Sequence, residues 1–123
     1  MKRDMDLVRT ILLKVEADLK FDGTMHPARA AELGIEGHSE GEIAYNCAQL
    51  VEAGFLTGNT KMAIQGVVMV GKLTWEGHEF LDAVRDPDIW RKTKERAKTV
   101  TTVGFAFLWE IAKAEIKTKL GLP

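Results

Sequence analysis

Apolar residues recur at helical spacing along most of the chain, and the interruptions mark where elements begin and end. Met5, Val8, Ile11, Leu12, Val15 and Leu19 form a wide stripe, which predicts a central helix over about 5–20. Asp4 stands where it caps that helix, and Asp22-Gly23 closes the segment. Pro27 opens a short helix, Pro27–Leu33, which Gly34 ends. Ser39 with Glu42 three residues later makes a capping box, and the helix it opens runs to about Ala53. Ile43, Cys47, Leu50 and Val51 line its inner face, and Gly54 suits the left-handed end position. Its outer face is expected to present Glu42, Tyr45, Asn46, Gln49 and Glu52.

After that helix the period changes. A strand is expected at about 55–60 and its return at about 67–74, with Gly71 a candidate bulge. Two strands alone are marginal and must lie against helices. Thr74 caps a helix with Phe80, Leu81 and Val84 facing inward and Trp75 packed. Asp86-Pro87 reads as a new cap and first-turn proline, opening a helix over about 87–98 with Ile89, Trp90 and Ala97 as its apolar side. Val100-Thr101-Thr102-Val103 is β-branched and breaks the helical pattern. Phe105, Leu108, Trp109, Ala112, Ile116 and Leu120 mark a last long helix, which Gly121 closes. The expected fold is therefore α+β: a winged helix-turn-helix with a two-stranded wing over residues 1–86, extended by two further helices in 87–123.

Three segments resemble a family of small proteins from bacteria and their phages that is labelled as a domain of unknown function. They are MKRDMDLVRTILLKVE, EIAYNCAQLVEAGFL, and LTWEGHEFLDAVRD with Trp90 and the KTKERAK run behind it; EIAKAEIKTKLGL fits as well. The resemblance implies a winged helix and a phage- or mobile-element context, and it carries no activity. The chain departs from the pattern at Asn46, where histidine is more usual, and over 24–36, so nothing ascribed to a histidine at 46 carries over.

Charge sharpens the choice of partner. The net charge of −1 is unlike a protein that coats nucleic acid. Residues 1–60 hold 6 basic against 10 acidic side chains and residues 61–123 hold 11 against 8, so the halves stand at −4 and +3. The first reading is a regulator that binds double-stranded DNA. Tyr45, Asn46 and Gln49 approach the bases, and Lys61, Lys72, Arg91, Lys92 and Lys94 hold phosphates. Against it, residues 36–54 contain Glu36, Glu40, Glu42 and Glu52 but no Lys or Arg, and phosphate contacts supply most of such affinity. The alternative is a protein-binding module that uses the acidic middle helix and the apolar last helix. Phe105, Leu108, Trp109 and Ile116 on the last helix are the candidate homodimer surface.

No enzyme, cofactor or metal site is expected. Trp75, Glu76, Gly77, His78 and Glu79 hold acid–base residue types, but acids in a first helical turn are favoured by the helix dipole, and the Leu-Thr-x-x-Gly pattern reads as structural. His26, His38 and His78 are isolated in sequence, and Cys47 falls on an inner face. No glycine-rich phosphate loop is present. A single cysteine excludes an internal disulfide, and no run reaches the ~18 apolar residues of a membrane span, so a cytoplasmic protein is expected.

Overall fold

A computed structural model describes residues 1–98 and 104–123; the β-branched run at 100–103 lies outside the described residues. The architecture is α+β. The order is α1 (Met5–Ala17), β1 (His26–Pro27), α2 (Ala30–Leu33), α3 (Glu40–Glu52), β2 (Leu56–Asn59), a 3-10 turn (Ala63–Gln65), β3 (Met69–Leu73), α4 (Trp75–Val84), α5 (Pro87–Ala97) and α6 (Phe105–Lys119). The chain divides into two compact units, Met1–His78 and Glu79–Pro123; α4 begins in the first and ends in the second.

In the first unit, Leu7, Val8, Ile11, Leu12 and Val15 of α1 are buried, and the helix packs on α2, α3 and β3. Removing Ile11 and Leu12 fully from water stabilises the unit by roughly 1.5–3 kcal/mol each, before chain entropy is charged against it. The helix ends earlier than its apolar pattern suggests. Asp18 leaves the helix in an extended conformation, and Leu19 is 92% exposed rather than part of the stripe. The capping box of α3 forms as expected, with Glu42 N–H donating to Ser39 Oγ and Ser39 N–H donating to Glu42 Oε1.

The sheet has three strands in the order β1-β3-β2, all antiparallel, where the sequence pattern showed two. The extra strand is the two-residue β1. Pro27 sits in it, pairing with Met69, and not at the start of a helix; α2 begins three residues later. Proline, lacking a donor, is tolerated there because β1 is an edge. Two residues give no readable period, which is why the strand was not visible in the sequence. The expected bulge is present. Between the pairs Leu56–Leu73 and Gly58–Val70, one residue of β2 opposes two of β3, Gly71 and Lys72. Thr57 Oγ1 accepts the Lys72 N–H at 3.0 Å. A side chain at 71 would run into that hydroxyl and the Gly23 carbonyl.

The junction from β3 to α4 explains the Leu-Thr-x-x-Gly pattern. Thr74 N–H donates to the Phe55 carbonyl, its hydroxyl donates to the Gly54 carbonyl and accepts from Gly77 N–H. Gly77 is needed because a Cβ there would overlap the Phe55 carbonyl oxygen. Trp75, expected to pack, instead stands 80% exposed at the first helical position.

In the second unit, Phe80, Leu81 and Val84 are buried as their spacing suggests. The Phe80 ring meets Phe105 and Trp109 edge-on, at centroid distances of 6.1 and 5.9 Å. Asp86 caps α5 by accepting from the Asp88 and Ile89 N–H groups, ahead of Pro87 in the first turn. α5 packs on α6, and Arg96 reaches Glu115 at 2.6 Å between them.

Candidate interaction surface

The outer face of α3 is where the sequence located a reading surface, and the structure changes its membership. Tyr45 and Gln49 are half-buried and Glu40 and Glu52 exposed. Asn46 is not on that face: it is 1% exposed. Its Oδ1 accepts the Asp4 backbone N–H at 2.9 Å, and its Nδ2 donates to the Glu42 carbonyl at 2.9 Å. Buried, and with one bond on each side of its amide, it stands out of reach of a base edge. The residue that resembled a reader is the pin between the start of α1 and the body of α3. Sequence position alone did not distinguish these roles, since 46 lies at the border of the buried stripe.

The hairpin linking β2 to β3 supplies the rest of the surface. Lys61 and Lys72 are exposed, and neither has a carboxylate partner among the described residues. Between the strands the chain forms the 3-10 turn at Ala63–Gln65, which touches α3. Gly66, at φ +79°, closes it. Ile64 is 97% exposed at this tip, with Met62 at 52% and Val67 at 37%. The sequence reading passed over these residues. The signal available was an apolar Met62-Ala63-Ile64 set between the turn markers Gly58-Asn59 and Gly66, where polar residues are the norm.

The basic run of α5 is largely engaged within its own unit. Arg91 bonds to Asp88 at 2.8 Å and to Glu95 at 3.1 Å, and Lys92 lies 3.3 Å from Asp88. Lys94 stands over the Trp90 ring. The Asp88 carboxyl is held below its ordinary range, chiefly by the Arg91 hydrogen bond and then by Lys92. Such exposed pairs contribute little and exchange readily, but Asp88 and Glu95 offset part of the charge the run shows to a ligand.

On α6, Phe105 and Leu108 are buried within the chain and are not available to a second copy, while Trp109 and Ile116 are half-buried. The Lys113 ammonium lies 4.7 Å above the Trp109 ring. Phe107, in the first turn of this helix, is a large apolar side chain left 53% exposed. Cys47 is fully buried, and burial pushes its thiol up to about 12, which leaves it inert as a nucleophile. Among the described residues, no helix is long and apolar enough to cross a membrane.

The chain is similar to an uncharacterised protein of Haemophilus influenzae, with 31% identity over 100 residues, covering 80% of each chain. No solved structure matches it. The family described as hypothetical protein (DUF2513) matches residues 2–104, most of the length over which the three resembling segments are spread, and the chain belongs to that family.

Proposed function

We propose that residues 1–78 form a winged helix that works by binding another protein. The winged-helix reading is supported by the order helix, strand, helix, helix, strand, hairpin, strand, with β3 between the two edges. The observation that carries the functional reading is the pairing of an α3 with no Lys or Arg and an adjoining turn whose tip is apolar. A DNA reader of this architecture needs cations on or beside that helix, because phosphate contacts supply most of the affinity. The first unit carries 8 basic against 11 acidic side chains, a balance of −3, and repels a duplex at long range. Ile64 and Met62 suit the opposite task, insertion into an apolar pocket, with Glu40 and Glu52 favouring a basic rim on the partner.

DNA binding is the second reading, favoured by Lys61 and Lys72 on the hairpin, which are exposed and without a carboxylate partner among the described residues. One paired experiment separates the two. The purified chain is used as bait for its native lysate and, in parallel, titrated against random-sequence duplex at two salt concentrations. A stoichiometric protein partner lost on Ile64→Asp and weakened by Glu52→Lys supports the first reading. Salt-sensitive duplex binding lost on replacing Lys61 and Lys72 with Ala, with no partner captured, replaces it with the second.

A further inference from the structure

The three histidines look isolated along the chain, but folding brings one of them into a cluster. His38, Asp4 and Glu42 each present a ligand atom, and these three atoms lie within 4.8 Å of one another. They come from three different segments: the residue that caps α1, the turn before α3, and the third position of α3. His38 Nδ1 is 3.5 Å from Glu42 Oε2. We propose that Asp4, His38 and Glu42 form a binding site for a divalent first-row transition ion of the zinc type.

Both carboxylates are already oriented. Asp4 Oδ1 accepts from the Leu7 N–H and Glu42 Oε1 from the Ser39 N–H, so each is fixed by a capping bond that uses one oxygen. Glu42 Oε2 faces His38 instead. Asn46 holds the frame together beneath them, bonded to the Asp4 N–H and to the Glu42 carbonyl. All three ligand residues are half-buried, which lowers the competition from bulk water without closing the site. The donor set decides the ion. Two carboxylates balance a 2+ charge, and an imidazole selects zinc-like ions over magnesium and calcium, which favour an all-oxygen shell. Ligand atoms around tetrahedral zinc stand about 3.4 Å apart, given metal–ligand bonds near 2.1 Å. The cluster therefore needs contraction of at most about 1.4 Å, within reach of side-chain rotation. Three protein ligands leave a fourth position for water or for a group from a partner.

The ion would close a loop between Asp4 and His38 and tie the start of α1 to α3. Binding to the native state alone raises stability in proportion to the logarithm of ion concentration over Kd.

The test uses the full chain without an affinity tag, titrated with Zn²⁺ by calorimetry and melted with zinc or with chelator. One ion per chain is expected, with a higher melting temperature in zinc. Asp4→Asn, Glu42→Gln and His38→Ala are each expected to weaken zinc by at least about tenfold. Asn still caps a helix and Gln still completes a capping box, so the first two remove ligand charge while keeping the local fold. No stoichiometric binding, or binding that the three variants leave intact and His26→Ala or His78→Ala removes, overturns the site. Should a variant prove unfolded in chelator, the His38 ring resonances of the unsubstituted chain decide: zinc must shift them, and unshifted resonances overturn the site.

Discussion

Replacing Asn46 with Ala tests how the first unit is held together. The side chain makes two bonds of 2.9 Å, one to the Asp4 N–H and one to the Glu42 carbonyl, and is 1% exposed. The two losses are not equal. The Glu42 carbonyl sits inside α3 and keeps its helical partner, whereas the Asp4 N–H lies ahead of α1 and is left without one. A net hydrogen bond contributes about 0.5–1.5 kcal/mol, and an orphaned donor costs about 1–3. The small cavity left behind adds to this because its walls relax only in part. The expected loss is ~2–3 kcal/mol, or a melting temperature lower by roughly 6–15 °C for a chain of this size. Far-ultraviolet circular dichroism through urea and thermal unfolding reads it, with Gln49→Ala, on the same helix, as the comparison within about 0.5 kcal/mol of the parent. Asn46→Asp is expected to cost more than Ala near neutral pH. It turns the donor towards the Glu42 carbonyl into an acceptor and places a charge in a buried position. It should recover in part on acidification, as the new carboxyl regains a proton. An Asn46→Ala chain within about 0.5 kcal/mol of the parent would refute the pin, as would an equal loss from Gln49→Ala.

Three further outcomes follow from particular contacts. Gly77→Ala, which on helix propensity alone would stabilise by about 1 kcal/mol, is expected to destabilise by ~2 kcal/mol because the methyl meets the Phe55 carbonyl; a higher urea midpoint would show the junction is looser than described. Cys47, its thiol pushed up to about 12 by burial, should resist a disulfide-exchange reagent in the native chain and react at once in denaturant; since the fold disfavours its thiolate, stability should also fall as pH rises past the ordinary 9.0. The Asp86 carboxyl is held below its ordinary 3.8, first by the Ile89 N–H and then by Lys119. Its contribution is therefore full above that pH and is lost as pH falls through the lower native value, so Asp86→Asn, which keeps the cap, should flatten the acid side of the stability profile; an unchanged profile would remove Asp86 from it.

The elements that depend on nearest neighbours were legible in the sequence. Ser39 and Glu42 make a capping box because the acid stands three positions after the cap, and Asp86-Pro87 and Gly34 act on the adjacent peptide groups. Apolar spacing likewise revealed α1, α3 and the inward side of α4, because burial of a stripe is a property of one helix. What tertiary structure alone decided involves partners far apart in the chain. The strand β1 exists because Pro27 meets Met69, 42 positions later, and two residues have no period of their own. Asn46 became a core pin through Asp4, also 42 positions away. Gly71 read as a bulge, but the hydroxyl that makes glycine necessary there comes from β2. The same holds for function. Lys61 and the α5 bases were visible as charges, but which of them are paired, whether Ile64 and Trp75 are covered, and that His38 meets Asp4 and Glu42 are distances in space. A linear pattern specifies which face of an element turns inward; it does not specify which other element it meets there.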